Sequence, residues 1–348
     1  MQADVVVIGA GQAGLSAAYA LHRAGADFVV LDGNAGPGGA WQHRWPSLRL
    51  DAAHRVHPLP GLPLPDADPA DPASEVVAGY FAEYERRFDL PVHRPVAVRS
   101  VHTTDDGFRV DTSDGGWTAR GLVNATGTWT RPFWPAYPGR GSFAGRQLHA
   151  ADYRGAEEFR GRHVVVVGGG TSAVQQLIEI SEVTTTTWVT RRPPVWRTSG
   201  FGEDAGRAAV ALVDQRVRAG LPPGSVVGVT GLVETDAVLA ARARGVLDRL
   251  PVFDRLTADG VAWDDGRSVA ADVVLWATGF RAALDHLAPL HLRGPGGGIA
   301  VDGTRVVAEP RLHLVGYGPS ASTIGANRAG PRAVHELLRT LGDAAAAA

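Results

Sequence analysis

The chain opens with an apolar run, a glycine turn and a helical pattern. Residues 5–8 are typical of a buried strand, residues 9–14 form a G-x-G-x-x-G turn, and apolar spacing predicts a helix over about 15–23. A second apolar run, 28–31, ends in Asp32. Strand, glycine turn, helix, strand and acid in this order predict a dinucleotide-binding βαβ unit, whose acid accepts hydrogen bonds from a ribose.

The same pattern returns in the middle of the chain. The apolar run 164–167 leads into the glycine turn 168–173, a helical stretch, and a strand at 184–190. A later strand ends in Ala-Thr-Gly in both units, at 125–127 and at 277–279. Repeated landmarks at similar spacing predict an internal duplication. We therefore expect an α/β fold with two Rossmann-like dinucleotide-binding domains.

One position separates the two units chemically. Arg191 follows Gly168 by 23 residues, just as Asp32 follows Gly9 by 23. An acid there would repel a 2′-phosphate, whereas the guanidinium groups of Arg191 and Arg192 would donate to it. The second unit is therefore predicted to prefer NADPH, with a solvated arginine pair as the alternative.

Other segments carry weaker patterns. The proline-rich stretch 57–74 indicates a long ordered loop or a lid, and Ser74 begins a helix whose aromatic residues we interpret as core. The pattern of alternating apolar and polar residues predicts short strands over residues 96–123. We expect the C-terminal strand at 312–315 and the helix at about 327–341 to return to the first domain.

Composition excludes several classes of protein. The net charge is −2, so no basic surplus points to nucleic acid or an anionic membrane, and no apolar run reaches the ~20 residues of a membrane span. The chain has no cysteine, which excludes disulphide exchange, thiolate metal sites and cysteine nucleophiles. All 34 basic residues are arginine, which excludes Schiff-base lysines. Without cysteine or a basic leader at the N-terminus, we expect a cytoplasmic protein.

Two further motifs resemble those of class B flavin-dependent monooxygenases. The segment 38–41, Gly-Gly-Ala-Trp, is similar to the family's Gly-Gly-x-Trp, and residues 143–153 match the fingerprint F-x-G-x-x-x-H-x-x-x-Y/F/W. Its final Tyr153 favours the flavin-containing branch over the Baeyer–Villiger branch. Segments 45–50 and 315–318 resemble a short bacterial subgroup, and the resemblance covers nearly the whole chain.

The resemblance implies a mechanism and a domain plan. NADPH would reduce FAD, the reduced flavin would capture oxygen as a C4a-(hydro)peroxide, and a small sulfur-, nitrogen- or carbonyl-containing substrate would be oxygenated. Such chemistry requires a site from which water is excluded. The FAD domain is expected at 1–155 and 282–348, with the NADPH domain inserted at 156–281.

The resemblance and the two glycine-turn units together predict which residues form the cofactor and catalytic sites. For FAD the predicted residues are Gly9, Gly11, Gln12, Ala13, Gly14, Asp32, Gly33, Gly39, Trp41, Val96, Ala125, Thr126 and Gly127. For NADPH they are Gly168, Gly170, Thr171, Ser172, Arg191 and Arg192. As catalytic residues we nominate Asp51, which lies where the family often has an asparagine, and His149 of the fingerprint.

Both catalytic nominations have alternatives. Asp51 could instead cap its loop, and His149 could brace a junction rather than move a proton. His54 and His57 have no third ligand nearby in sequence, so no metal is expected.

Two rival functions also stay open. One is an NADPH oxidase or flavoprotein reductase that passes electrons to oxygen, a quinone or a protein, and the other is a nucleotide-binding redox sensor. The sequence leaves the organic substrate, the coupling of oxygenation and a homodimer undecided.

Overall fold

The computed structural model describes residues 1–53, 56–198, 203–224 and 231–347. In this part the strands are β1 Gln2–Ile8, β2 Phe28–Leu31, β3 Val92–His93, β4 Val98–Thr104, β5 Gly107–Thr112, β6 Gly115–Asn124, β7 Arg146–His149, β8 Val164–Val167, β9 Thr186–Thr190, β10 Trp196–Arg197, β11 Leu232–Val233, β12 Arg249–Pro251, β13 Arg255–Leu256, β14 Gly260–Ala262, β15 Ser268–Ala270, β16 Val273–Trp276, β17 Val301–Asp302, β18 Arg305–Val306 and β19 Glu309–Leu314.

The α-helices are fewer than the strands. In the described residues they are α1 Gln12–Arg23, α2 Ala73–Arg87, α3 Thr171–Ser181, α4 Glu203–Arg218, α5 Asp236–Ala243 and α6 Thr323–Ala347. Short 3₁₀ helices lie at Trp41–His43, Ala156–Phe159, Asp285–Leu290 and Gly318–Ser320. None of these helices is both long enough and apolar enough to cross a membrane.

The chain forms two compact units. The first comprises Met1–Thr128, Val210–Gly224 and Ala282–Ala348, and the second comprises Trp129–Ala209 and Ser225–Arg281. The division falls after residue 128 rather than at the predicted 155, because β7 pairs in parallel with β16 inside the second unit. The first unit resumes at Ala282 and also includes Val210–Gly224, which lie within the predicted NADPH domain of 156–281.

The sheet of the first unit is built around β1. Its parallel strands run in the order β3-β2-β1-β6-β19, β4 and β5 form an antiparallel extension of β6, and β17 and β18 extend β19. Along β1, Val5 and Val7 pack into an apolar cluster with α1, α2 and α6, while Val6 and Ile8 pack into a second cluster with β4 and β5. This alternation is that of a strand buried on both faces. The C-terminal strand and helix return to the first unit, as predicted.

The second unit repeats the plan. Its parallel strands run in the order β12-β9-β8-β16-β7, and β13, β14 and β15 form a separate three-stranded antiparallel sheet. The fifth parallel strand comes from the C-terminal tail in the first unit and from the segment before β8 in the second. The prediction of an α/β fold with two Rossmann-like units is confirmed.

Candidate cofactor and active sites

The first glycine turn leaves no room for a side chain at Gly9 or Gly14. The Gly9 amide donates to the Leu31 carbonyl at 2.8 Å, and Gly9 has φ +98°, a region that favours glycine. A Cβ on Gly9 would lie 2.8 Å from the Ala125 carbonyl oxygen, and one on Gly14 would overlap the Gly9 carbonyl. The turn is therefore packed between β2, the Ala-Thr-Gly segment and its own helix, as close helix–strand packing requires.

The second glycine turn has the same contacts. The Gly168 amide donates to the Val189 carbonyl at 2.9 Å, and a Cβ on Gly168 would overlap the Ala277 carbonyl oxygen. The Ala277 amide in turn donates to the Val167 carbonyl at 2.9 Å, as the equivalent amide of Ala125 does in the first unit at 2.8 Å. Each Ala-Thr-Gly segment therefore packs closely against its glycine turn and fixes the position of that turn.

Both glycine turns end in an uncapped helix N-terminus. The caps of α1 and α3 are Gly11 and Gly170, neither helix has a side-chain cap, and neither has an acid in its first turn. By contrast, α5 is capped by Thr235 and has Asp236 in its first turn. Uncapped N–H groups at the positive end of a helix dipole bind anions, and here two such ends follow glycine turns. The turns therefore fit the pyrophosphate of a dinucleotide.

One buried acceptor supports the flavin site. The side-chain oxygen of Gln12, the first residue of α1, is buried with no hydrogen-bond partner among the described residues. A buried acceptor of this kind is costly unless a donor reaches it. Ala13 is buried beside it on α1. A ligand donor at the start of α1 would satisfy the amide oxygen of Gln12.

The Gly-Gly-Ala-Trp motif packs against the first turn. Gly38 and Gly39 have φ +117° and +52°, and a Cβ on Gly39 would lie 2.7 Å from Cα of Gly11. The Gln42 side chain donates to the Gly39 carbonyl at 3.2 Å. Trp41 is partly buried against the cluster formed by α1, α2 and α6. The motif thus supplies a second wall beside the predicted pyrophosphate site.

Asp32 belongs to a buried network that sequence reasoning missed. Its carboxylate accepts from Arg94 Nε at 2.8 Å and from Asn34 Nδ2 at 2.9 Å, and Asn34 is bonded to His43 at 2.9 Å. The guanidinium of Arg94 also donates twice to Glu85 of α2, at 2.7 Å each. Although burial acts to lower it, the hydrogen bonds and charges of Glu85 and Asp32 hold the pKa of Arg94 above its ordinary value. Arg94 therefore fixes the carboxylate that is predicted to bind ribose.

The remaining residues that were predicted to bind FAD lie at the same end of the first unit's sheet. Thr126 donates its hydroxyl to the Ala283 carbonyl at 2.6 Å, and Gly127 has φ +61° with open space where a Cβ would lie. Val96 is buried, and its amide donates to the Asp32 carbonyl at 2.8 Å. Gly33 lies next to Ala97. The structure therefore brings the FAD nominations together at the carboxyl ends of β1, β2 and β6, where α/β sheets bind ligands.

Asp51 lies at the rim of an apolar cavity. Its side chain is exposed, and its amide donates to the Pro69 carbonyl at 3.0 Å. The cavity has a volume of about 250 Å³ and is lined by Leu50, Asp51, Ala53, Val56, Leu64, Pro65, Val76 and Val77. The catalytic role of Asp51 stays a prediction. His54 lies outside the described residues, and within them no group of three or more histidine or acidic side chains could hold a metal ion.

The proline-rich stretch is an ordered loop tied to α2. The Tyr80 hydroxyl accepts from the Leu59 amide at 2.8 Å and donates to the Leu62 carbonyl at 2.6 Å. The Tyr84 hydroxyl donates to the Pro60 carbonyl at 2.6 Å. Both tyrosine rings are buried, as predicted for core residues. Their hydroxyl groups also hold the loop by hydrogen bonds, which helical spacing does not predict.

His149 uses both ring nitrogens inside the second unit. Nδ1 accepts from the Ala151 amide at 3.1 Å, so Nε2 carries the proton and donates to the Gly279 carbonyl at 3.1 Å. The ring is fully buried, with centroids 5.8 Å from Trp134 and 5.0 Å from Phe280, and burial lowers its pKa. This arrangement favours bracing of the Ala-Thr-Gly turn over proton transfer, against the catalytic nomination.

The arginine pair lies at the end of β9. Both side chains of Arg191 and Arg192 are exposed, and neither forms an ion pair with another described residue. Thr190 donates its hydroxyl to the Arg192 carbonyl at 2.7 Å, and the Thr190 carbonyl accepts from Arg249 at 2.9 Å. The backbone of the strand end is thus held, while both guanidinium groups are available to a ligand. At the start of α3, the predicted residues Thr171 and Ser172 are both partly buried.

Comparison with known families decides the assignment. A profile of the family described as "Pyridine nucleotide-disulphide oxidoreductase" matches residues 6–218, more than half of the chain. The chain belongs to this family. The family description names a disulphide, whereas the sequence of this oxidoreductase contains no cysteine. Its cofactors are FAD and NADPH, as predicted.

Solved structures place the oxidoreductase among flavin monooxygenases. It is 40% identical to a flavin-containing monooxygenase from Stenotrophomonas maltophilia, with a TM-score of 0.82 over 97% of this chain and 99% of that one. Cyclohexanone monooxygenase, at 21% identity and a TM-score of 0.67, shares the fold over 99% of this chain and 88% of that one. An uncharacterized CzcO-like oxidoreductase from Geobacillus kaustophilus is 27% identical and covers 84% of this chain and 87% of its own. The predicted resemblance is confirmed, and the oxidoreductase is an FAD-dependent monooxygenase in general terms.

Proposed function

We propose that the oxidoreductase uses NADPH to oxygenate a small substrate at sulfur, nitrogen or a carbonyl group. Bound FAD would supply the electron transfer and the reaction with oxygen, and the protein would supply binding, orientation and exclusion of water. The first unit would hold FAD and the second unit NADPH. The likeness at 40% identity over nearly the whole of both chains carries the reaction type.

The arginine pair supports NADPH as the reductant. Arg191 and Arg192 are exposed at the strand end that would face the adenosine ribose, with no competing ion pair among the described residues. One charge-assisted hydrogen bond contributes about 1.5–3 kcal/mol, which corresponds to roughly ten- to a hundredfold in affinity. This is enough to set a preference for the 2′-phosphate over a 2′-hydroxyl.

The cavity beside Asp51 supports a small apolar substrate. Its volume of about 250 Å³ lies below the ~300 Å³ at which pockets for drug-sized ligands begin. Seven of its eight lining residues are apolar, and Asp51 supplies the one charge. The exposure of Asp51 would also fit the rival function, because water that reached the flavin past Asp51 would favour direct release of hydrogen peroxide.

Stopped-flow spectroscopy separates the two functions. The purified enzyme is reduced anaerobically by NADPH and then mixed rapidly with oxygenated buffer. A monooxygenase shows a transient absorbance distinct from both reduced and oxidised flavin, and that transient decays faster when methyl phenyl sulfide is present. Direct return to oxidised flavin, unaffected by the sulfide and matched by stoichiometric hydrogen peroxide, would refute the proposal and favour the oxidase.

A further inference from the structure

Three segments that are distant in sequence meet at one side chain of the first unit. Asn327 of α6 donates from Nδ2 to the Pro58 carbonyl at 2.7 Å. Its Oδ1 accepts from Gln12 Nε2 at 2.8 Å, and the same Gln12 nitrogen donates to the His57 carbonyl at 3.1 Å. Asn327 thus links the C-terminal helix, the first residue of α1 and the proline-rich loop.

The backbone that carries Asn327 is itself fixed on α1. The Ser16 hydroxyl donates to the Asn327 carbonyl at 3.2 Å. One turn further on, a Cβ on Gly330 would lie 2.5 Å from the Ser16 hydroxyl oxygen and 2.8 Å from the Ala17 amide nitrogen. The two helices therefore approach as closely as glycine allows, and the Asn327 side chain starts from a defined position.

The segment held by Asn327 leads into the wall of the apolar cavity. Val56 precedes the two tethered carbonyl groups, Leu64 and Pro65 follow them, and all three residues line the cavity beside Asp51. On the other side, the loop is held by the hydroxyl groups of α2. Asn327 bonds the loop to α6 at Pro58 and also accepts from Gln12. Gln12, which itself donates to the His57 carbonyl, begins α1, the helix whose N-terminus is predicted to bind the FAD pyrophosphate.

We propose that Asn327 is a positioning residue, which holds the proline-rich loop on the FAD-binding helix and thereby shapes the substrate cavity. The inference rests on the proposed function for its substrate. A carboxamide is needed because the site requires a donor toward Pro58 and an acceptor toward Gln12 from one short side chain. Aspartate would keep the acceptor but turn a carboxylate oxygen toward the Pro58 carbonyl, so it would break the hydrogen bond to Pro58 and keep the link between the helices.

The test compares Asn327→Asp and Asn327→Ala with Arg328→Gln, an exposed neighbour on the same helix. Hydrogen exchange is measured on the loop amides of Leu59 and Leu62 and on the amides of α1. The KM for methyl phenyl sulfide is measured beside FAD content and the rate of anaerobic reduction by NADPH.

For both Asn327 variants we expect loop exchange and KM to rise by about five- to tenfold, the effect of one lost hydrogen bond. FAD content and the reduction rate should stay within about twofold of the wild type in both variants. The exchange of the α1 amides should also stay within about twofold in Asn327→Asp, which keeps the acceptor for Gln12, and should rise in Asn327→Ala, which loses it. Arg328→Gln should change none of these quantities. Wild-type loop exchange and KM in both variants would overturn the inference, and so would a parallel loss of FAD and reduction rate. If the wild type forms no sulfoxide, the proposed function fails, while the exchange comparison still decides whether Asn327 tethers the loop.

Discussion

The network around Arg94 gives a prediction whose size follows from burial. The side chains of Arg94, Asp32 and Glu85 are 12%, 4% and 13% exposed, and three hydrogen bonds of 2.7–2.8 Å join them. Removing the guanidinium leaves two carboxylates without their counter-charge in a buried place. Loss of one partner of such a pair costs about 3–5 kcal/mol, because the remaining charge is uncompensated. Arg94→Met removes the charge and keeps most of the apolar stem.

A matched control, Arg86, lies on α2, the helix that carries Glu85. Arg86 makes three hydrogen bonds to Glu83, at 2.7–2.9 Å, but the two side chains are 74% and 41% exposed. An exposed pair of this kind contributes about 0–1 kcal/mol, so Arg86→Met should be nearly neutral. The two substitutions are chemically identical and differ in burial.

The assay is urea denaturation at saturating FAD, with FAD affinity measured by titration of apoprotein. Arg94→Met should lower the unfolding free energy by about 3–5 kcal/mol. It should also weaken FAD by about tenfold or more, because Asp32 loses the group that orients it. A loss of unfolding free energy in Arg94→Met no larger than that in Arg86→Met, with unchanged FAD affinity, would contradict the stabilising role of Arg94.

Three further predictions follow from the same structure. Arg191→Ala should raise KM for NADPH by about ten- to a hundredfold and leave NADH nearly unchanged in steady-state assays; equal losses with both nucleotides would contradict phosphate recognition. Gly168→Ala should abolish reduction by NADPH while the purified protein stays yellow, since the added Cβ would overlap the Ala277 carbonyl oxygen and disturb only the second unit. A colourless protein would count against separate FAD and NADPH sites. Burial lowers the pKa of His286 and of His313 from 6.5 to about 4, so both stay neutral in the fold while the unfolded chain gains protons below pH 6.5. Stability should therefore be full above pH 6.5 and fall toward pH 4, by up to about 3 kcal/mol for each group, and His313→Asn should flatten that slope in urea titrations at several pH values.

Sequence alone could predict both glycine turns, because each motif lies within one strand–helix–strand unit of about 23 residues and its spacing is readable. It could not predict the partner of Asp32. Arg94 lies 62 residues away, after a strand of two residues, and an arginine in an extended segment has no periodic signal. The hydrogen bond between Gln12 and Asn327 joins residues that are 315 positions apart, and no sequence pattern predicts it either. Such contacts depend on tertiary packing.

The domain boundary differed from the prediction for a related reason. The sequence places β7 before the second glycine turn, next to the fingerprint that ends at Tyr153, and a boundary after it was natural. In the fold, β7 is the outer strand of the second sheet. The first unit takes its corresponding strand, β19, from the other end of the chain. The fifth parallel strand comes before the glycine turn in the second unit and near the C-terminus in the first. The two units therefore share no sequence motif that marks this strand.

Oxygen-isotope incorporation tests whether the oxidoreductase transfers an oxygen atom from O₂ to a substrate. The holoenzyme is supplied with NADPH, ¹⁸O₂ and methyl phenyl sulfide, and the sulfoxide is analysed by mass spectrometry beside NADPH consumed and hydrogen peroxide released. We expect sulfoxide that carries one ¹⁸O atom and accumulates with NADPH oxidation. NADPH oxidation that yields hydrogen peroxide alone, with no labelled product from this sulfide, a small amine or a cyclic ketone, would contradict the assignment as a monooxygenase.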